Sequence, residues 1–218
     1  YAPGRRAGAL PAVAPEALTR EATPVQLRAP AAVDGNVTAL ELLVLARLVA
    51  ERTPRRLFEI GTFDGRTTLN LAANAPADAH VWTLDLPPAA VGTTALPLAP
   101  HDRAYVEKPA AGARFAGSDL ASRITQLWGD SAVVTTPDLD GTIDFVFVDG
   151  AHSREYVASD AAFALRLLGG RPGTVVFHDY GTWDGVTEAV DALAAAAGPW
   201  RSLVRVAGTT LAVADVTR

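Results

Sequence analysis

The chain has 218 residues, of which 49% are hydrophobic and 20% are charged, and its formal net charge is −5. These values suit one globular domain with a substantial core. The charges are spread without a basic block, which argues against a nucleic-acid partner, and no apolar run reaches the roughly 18 residues of a membrane span. The absence of cysteine excludes disulfides, thiolate metal sites and cysteine nucleophiles. No stretch has the order of a secretory signal, so we expect a cytoplasmic protein.

The first 33 residues are rich in Ala, Pro and Arg and show no sustained period. This composition predicts a mobile arm or linker, with a lid or a segment swapped between subunits as the functional alternative. Methionine is absent even at position 1, which indicates a chain that was trimmed, tagged or cut from a longer protein. We therefore divide the chain into an arm over 1–35 and a single domain over 36–218, and we leave homo-oligomer formation open.

Apolar strands alternate with helical patterns after the arm, and this alternation predicts an α/β fold with a doubly wound, mostly parallel sheet. Runs such as Ile-Asp-Phe-Val-Phe-Val at 143–148 are almost continuously apolar, as in strands covered on both faces. Two final apolar runs separated by Ala-Gly-Thr predict a terminal hairpin and an antiparallel last strand. The predicted helices are 38–50, 66–74, 156–168 and 185–197, and the predicted strands are 57–60, 81–86, 124–128, 143–149, 174–178, 202–206 and 210–216.

Residues 87–119 interrupt this rhythm with five prolines, three glycines and scattered charges. The stretch is too long for an ordinary connection in a compact domain. It is interpreted as an insertion that covers the site or carries a short helix, with a variable surface loop as the alternative.

The stretch Phe-Glu-Ile-Gly-Thr-Phe-Asp-Gly-Arg-Thr-Thr at 58–68 combines a strand end with a glycine turn and the start of a helix. Gly61 and Gly65 allow a sharp turn and leave no Cβ in the way of a ligand. The helix that follows offers unpaired N–H groups at its N-terminus. We expect the Glu59 carboxylate to repel a pyrophosphate and attract a cationic amino group. The turn therefore suits a positively charged nucleoside better than NAD or ATP.

Polar residues also end the following strands, and ligands of such sheets bind outside the carboxyl ends of the strands. Asp85 lies about 20 residues after the glycine turn, where a carboxylate can accept both hydroxyls of a ribose. Asp130 and Ser131 follow the next strand and are suitably placed to hydrogen-bond an adenine edge. A cap or turn role is the alternative for each of them.

Four segments in this order resemble class I S-adenosylmethionine-dependent methyltransferases, in the small-molecule branch that includes catechol-type O-methyltransferases. They are Glu-Ile-Gly-Thr-Phe-Asp-Gly-Arg-Thr-Thr, Val-Trp-Thr-Leu-Asp-Leu, Phe-Val-Phe-Val-Asp-Gly-Ala-His-Ser-Arg-Glu-Tyr-Val and Gly-Gly-Arg-Pro-Gly-Thr-Val-Val-Phe-His-Asp-Tyr. The resemblance implies a Rossmann-like sheet of about seven strands with an antiparallel last strand, and S-adenosylmethionine as the cofactor. The cofactor residues that it implies are Glu59, Gly61, Thr62, Phe63, Gly65, Thr67, Asp85, Leu86, Asp130, Ser131 and Asp149.

The same resemblance implies a divalent cation between the acid after the fourth strand of that fold and two residues after its fifth. The matching ligands are Asp149, His178 and Asp179, which suit Mg²⁺, Mn²⁺ or Fe²⁺, the imidazole favouring the transition metals. Relatives supply oxygen in place of His178, which weakens the case for Mg²⁺. His152 stands where they carry a lysine base, and its ordinary pKa near 6.5 suits proton abstraction. A metal-free site, with His152 as the base and Asp179 orienting it, is the alternative.

These residues together predict a methyltransferase that transfers a methyl group to an oxygen of a small hydroxylated metabolite. Three aromatic residues near the catalytic segments, Tyr156, Tyr180 and Trp183, could line a flat substrate or pack in the core. His80 and His101 lack a comparable context, because His80 is expected to begin a strand and His101 lies in the insertion. The alternatives are a metal-dependent oxygenase or hydrolase on the same scaffold and a non-catalytic cofactor-binding module of a larger synthase.

Overall fold

The structure, a computed structural model, describes residues 8–107, 111–196 and 198–217. Its α-helices are α1 (Ala39–Arg52), α2 (Arg66–Asn74), α3 (Asp102–Val106), α4 (Arg154–Leu168) and α5 (Asp184–Ala195). Its strands are β1 (Ala12–Val13), β2 (Arg56–Ile60), β3 (His80–Asp85), β4 (Ile124–Trp128), β5 (Phe145–Val148), β6 (Gly173–Phe177), β7 (Val204–Val206) and β8 (Ala212–Val216). Within these ranges no helix has both the length and the apolar character that a membrane crossing requires.

The strands form one sheet in the order β1-β7-β8-β6-β5-β2-β3-β4. Strand β8 runs antiparallel to β6 and β7, and the remaining pairs are parallel. The predicted Rossmann-like α/β fold and its antiparallel C-terminal strand are therefore confirmed. The sheet has eight strands rather than about seven, because the N-terminal segment adds β1 beside β7.

The sheet separates two hydrophobic cores because side chains alternate between its faces. On β2, Phe58 and Ile60 pack with α4 and α5, whereas Leu57 packs with α1 and α2. Strand β5 behaves in the same way and directs its two phenylalanines, Phe145 and Phe147, toward α1 and α2. Helices on both faces explain why the central strands are apolar at nearly every position.

The described part of the N-terminal segment is attached to the domain at several points, whereas its composition predicts a mobile arm. The Arg66 side chain, from the first turn of α2, is buried beneath it. Its guanidinium donates hydrogen bonds to the backbone carbonyls of Ala29 (2.9 Å), Pro30 (3.2 Å) and Val37 (2.8 Å). The three bonds hold this stretch firmly, because breaking them would leave a buried charge without hydrogen-bond partners and water cannot replace them there. Residues 1–7 of the predicted arm lie outside the described residues.

The insertion over 87–119 crosses the carboxyl edge of the sheet and contains α3. It is attached to the glycine turn at two points: Gly112 N–H donates to the Phe63 carbonyl (2.9 Å), and Arg114 Nε donates to Asp64 Oδ2 (3.0 Å). Residues 108–110 of the insertion are not among those that the structure describes. The insertion thus lies over the strand ends that carry the expected site.

Gly61 joins β2 to the turn and lies against the backbone that follows β5. Its φ is +96°, and a Cβ at this position would lie 1.9 Å from the Asp149 carbonyl oxygen. The close approach follows from the pairing of β2 with β5, since Asp149 N–H donates to the Ile60 carbonyl (2.8 Å). Only glycine satisfies both the backbone conformation and the space.

We expect Gly61→Ala to lower the free energy of unfolding by about 3 kcal/mol or more, because left-handed strain and a backbone clash add. Gly92→Ala is the matched control, since a Cβ there meets nothing within 4 Å; its change should stay within about 0.5 kcal/mol. Urea unfolding followed by circular dichroism measures both. Equal unfolding midpoints for the two variants would contradict the close approach.

Candidate active site

The carboxyl ends of β2, β3, β4 and β5 surround a partly open cavity. It lies where the strand order reverses, between the two neighbours of β2, as expected for ligand sites in such sheets. The insertion closes one side through Leu98, Asp102, Tyr105 and Val106. The expected site residues in the cavity wall are Gly61, Phe63, Asp85, Leu86, Asp130, Ser131, Asp149, His152 and Tyr156.

Asp85 is held with its carboxylate ready to accept further hydrogen bonds. The backbone N–H groups of Phe63 (3.2 Å) and Leu86 (3.0 Å) donate to its two oxygens. Burial raises the pKa of Asp85 to about 6, although both hydrogen bonds favour the charged form. A ligand that donates hydroxyl groups to this carboxylate would relieve the cost of its burial.

Asp130 connects the end of β4 with the insertion. Its Oδ2 accepts the Ala95 N–H (2.7 Å), and its Oδ1 accepts the Ala132 N–H (2.9 Å). Ser131 follows it in the cavity wall. The structure therefore gives Asp130 a loop-organising role as well as a place beside the ligand cavity.

Glu59 lies beneath the cavity rather than in its wall, which corrects the expectation that its carboxylate faces the ligand. Its side chain points toward α2, where it accepts hydrogen bonds from the hydroxyls of Thr68 and, at 2.7 Å, Thr83. Burial raises the pKa of Glu59 to about 8 despite these bonds, so the neutral acid prevails at pH 7. Side chains alternate between the two faces of the sheet along β2, and Glu59 lies on the same face as Leu57, which is the face covered by α1 and α2. This alternation explains its position.

Three other expected cofactor residues also lie behind the turn instead of lining the cavity. Thr62 is buried and its hydroxyl bonds to that of Thr83 (2.7 Å). Gly65 begins α2 with a φ of +83° and packs against Phe115, and Thr67 is buried in the first turn of the helix. These residues shape the turn, so any contact that they make with a ligand is through the backbone.

Two imidazoles and several carboxylates form a continuous network at the ends of β5 and β6. Asp179 stands at its centre: its Oδ2 lies 2.9 Å from His152 Nε2 and 3.1 Å from His178 Nδ1. Burial opposes the charge of Asp179, but the two imidazoles lower the pKa of its carboxyl well below its usual value. The sequence predicted that Asp149, His152, His178 and Asp179 meet, and the structure brings all four together.

His152 is held at both ring nitrogens. Nδ1 lies 2.5 Å from Asp102 Oδ1, and Nε2 contacts Asp179. Burial opposes a positive ring, but the hydrogen bonds to both carboxylates raise the pKa of His152 to about 9. This value corrects the expectation of an ordinary pKa near 6.5, and at neutral pH the free protein carries the imidazolium.

His178 lies between β6 and helix α1. Nδ1 contacts Asp149 Oδ1 (2.9 Å), and Nε2 contacts Glu41 Oε2 (3.3 Å). Burial disfavours the charged ring, but the charges of Asp149 and Asp179 raise the pKa of His178 well above its usual value. Glu41 is itself fixed, because its Oε1 accepts the N–H (2.7 Å) and hydroxyl (2.8 Å) of Thr210.

The donor set at this point fits a divalent cation. Asp149, His178 and Asp179 each offer one ligand atom, and these atoms lie within 4.8 Å of one another. A histidine ligand usually donates its other ring N–H to a carboxylate, and Glu41 is placed to receive it. Imidazole with carboxylates suits a transition metal better than Mg²⁺.

Asp102 and Glu41 were not among the residues expected from the sequence, although both contact the histidines. Glu41 had a weak signal, because Thr38-Ala-Leu-Glu41 is a capping box that starts α1. Asp102 had none, since it lies within an insertion without a readable pattern. Both are nearly inaccessible, at 2% exposure for Asp102 and 1% for Glu41.

The aromatic residues expected near the site have different roles. Trp183 stacks on the His152 ring with centroids 4.3 Å apart, and Tyr156 lines the cavity. Tyr180 is buried, and its hydroxyl donates to Asp191 (2.6 Å) and accepts the Leu10 N–H (2.9 Å). Tyr180 therefore anchors the N-terminal segment. His80 begins β3, as predicted.

Comparison with solved structures identifies the fold as that of methyltransferases. The O-methyltransferase TomG from Streptomyces achromogenes, solved with SAM, is 22% identical with a TM-score of 0.60, covering 85% of this chain and 83% of its own. The SAH-bound Podospora anserina methyltransferase PaMTH1 is 17% identical with a TM-score of 0.61, covering 85% and 81%. The Bacillus cereus O-methyltransferase, in complex with SAH, is 18% identical with a TM-score of 0.56, covering 85% and 84%.

No curated protein sequence matches the chain significantly. A family model described as a methyltransferase domain matches residues 58–180, more than half of the chain. The match begins on β2 and ends just beyond Asp179, so it contains the glycine turn, Asp85 and both histidines of the network. The chain belongs to the methyltransferase domain family.

Proposed function

We propose that the chain transfers a methyl group from S-adenosylmethionine to an oxygen atom of a small hydroxylated molecule. The observation that carries the proposal is a single cavity whose wall contains both the half-buried Asp85 carboxylate and His152. The Asp85 carboxylate suits the hydroxyls of a ribose, and His152 suits the reacting hydroxyl of the acceptor. The related folds solved with SAM or SAH support this choice of cofactor.

The cofactor would lie across the strand ends. Asp85 would accept both hydroxyls of its ribose, and Leu86, Asp130 and Ser131 would hold the adenine. Gly61 would receive the amino-acid end, because its missing side chain leaves the backbone accessible. Asp149 and His152 would then face the reacting end of the cofactor.

The charge of the cavity favours a sulfonium cation. Asp85, Asp102, Asp130 and Asp149 line it, and among the described lining residues there is no lysine or arginine. Carboxylates in a partly enclosed site attract a cation more strongly than they would in water, and they repel a pyrophosphate. The attraction of a cation that the sequence assigned to Glu59 therefore comes from these four aspartates instead.

The reaction is an in-line displacement in which the acceptor oxygen attacks the sulfonium methyl. Alignment of oxygen and methyl at about 3 Å supplies much of the acceleration. His152 takes the hydroxyl proton, and its flanking carboxylates stabilise the imidazolium that forms. A sulfonium in the cavity lowers the pKa of His152, because like charges disfavour each other, and this increases the share of the neutral base.

A divalent cation would be held by Asp149, His178 and Asp179, and Glu41 would orient the His178 ring. We expect Mn²⁺ or Fe²⁺ in preference to Mg²⁺. Such an ion lowers the pKa of an acceptor hydroxyl and fixes its orientation. The cytoplasmic location and the homo-oligomer left open by the sequence stay predictions.

Asp85→Asn should weaken S-adenosylhomocysteine binding by about 30-fold or more, since two hydrogen bonds to a charged acceptor are lost. The wild-type affinity should rise from pH 5 to 7 and then level off. The sign follows because the free carboxyl has a pKa of about 6, the ribose favours its charged form, and binding therefore releases a proton. Calorimetry measures both effects. Asp138→Asn, on the surface, is the matched control; an unchanged affinity in Asp85→Asn would refute the ribose assignment.

His152→Gln should keep cofactor affinity within about threefold of the wild type and reduce turnover by about 100-fold or more. Turnover is measured as S-adenosylhomocysteine released with a panel of small phenols and alcohols. His80→Gln is the control, because His80 lies at the opposite end of the sheet and bonds to Thr125. If the wild type binds the cofactor but releases no S-adenosylhomocysteine, the non-catalytic module is favoured. If it takes up oxygen and releases no S-adenosylhomocysteine, an oxygenase is favoured.

A further inference from the structure

Asp102 brings a buried carboxylate from the insertion to the histidine expected to act as the base. Its Oδ1 lies 2.5 Å from His152 Nδ1, and its Oδ2 accepts the His152 backbone N–H at 3.2 Å. The Ala99 N–H also donates to Oδ2 (2.8 Å), which fixes the carboxylate on its own segment. The side chain contacts both the ring and the backbone of one residue 50 positions further along the chain.

Because Asp102 holds Nδ1 of His152, the proposed reaction leaves the second ring nitrogen, Nε2, to meet the acceptor hydroxyl. Nε2 is bonded to Asp179 at 2.9 Å, so the hydroxyl must take the place of that contact before its proton moves. The contact at Nδ1 has to persist meanwhile, or the ring loses both of its fixed points. Asp102 is the residue that makes it.

We propose that Asp102 is a positioning residue that holds the His152 ring with a proton on Nδ1 and the lone pair of Nε2 toward the acceptor. The proposal rests on the function proposed above. A carboxylate only accepts hydrogen bonds, so once the acceptor has taken the place of Asp179 at Nε2, Asp102 keeps the proton on Nδ1. Because Asp102 is nearly inaccessible, the bond is shielded from water and strengthened by its surroundings.

Helix α3 connects this contact to the ligand cavity. Tyr105 and Val106, on the same helix, line the main cavity and also a neighbouring cavity of about 1330 Å³ that extends toward Val33 and Trp128. The Tyr105 ring lies 6.1 Å from the His152 ring. A shift of α3 therefore moves the cavity wall and the Asp102 carboxylate together.

The test compares Asp102→Asn with Glu107→Gln, a control at the end of the same helix whose side chain is half exposed and pairs with Arg103. We expect Asp102→Asn to lower kcat by about 100-fold or more. The affinity for S-adenosylhomocysteine should stay within about threefold of the wild type, with little change in acceptor KM. Glu107→Gln should match the wild type. A kcat for Asp102→Asn within threefold of the wild type would overturn the proposal.

A double variant and a spectroscopic readout separate positioning from a merely structural role. Asp102→Asn combined with His152→Gln should be no slower than His152→Gln alone, since the first acts through the second. Nitrogen-15 NMR of histidine-labelled protein, assigned with His152→Gln, should show the Nδ1 proton of His152 in the wild type and its loss in Asp102→Asn. An unchanged His152 spectrum, or additive losses in kcat, would sink the proposal. The spectrum needs no turnover, so it decides on Asp102 even if the proposed function fails.

Discussion

One carboxylate shared by two imidazoles organises this end of the molecule. Asp179 has a φ of +64°, an unusual backbone conformation for a residue other than glycine. This conformation follows directly on β6 and turns the carboxylate between His152 and His178. Since each histidine is held on its far side by a second carboxylate, Asp102 or Glu41, the network joins the sheet to the insertion and to α1. Breaking it at Asp179 would leave two buried imidazoles without their common counter-charge.

The sequence predicted the sheet and its polar edge because both depend on local patterns. Apolar strands end in Asp85, Asp149 and Asp179, and parallel topology brings strand ends to one edge whatever the details of packing. Glu59 was misplaced for an equally local reason: it lies one residue before the last residue of β2, so it points into the α2 layer. The two-residue period of a strand was sufficient to show this.

Contacts between distant segments could not be read from the sequence. Asp102 meets His152 across 50 residues, and Glu41 meets His178 across 137. Nothing in the sequence pattern around Asp102 distinguishes this buried residue from aspartates on the surface. The N-terminal segment is a similar case, since its composition suggested mobility while three carbonyls bound by Arg66 hold it in place. One buried cation from another segment outweighs the composition of the whole stretch.

The acidic cavity also bears on the direction of the proposed reaction. A sulfonium brings one positive charge into a wall that contains Asp85, Asp102 and Asp149. Transfer of the methyl group leaves a neutral thioether at the same place, while the acceptor's proton passes to His152. The positive charge thus moves from the sulfur of the ligand to the His152 ring of the protein, which lies between Asp102 and the strand ends. The product then keeps its ribose contact with Asp85 but loses the Coulombic attraction at sulfur, so the same carboxylates hold the sulfonium form more tightly than the spent thioether.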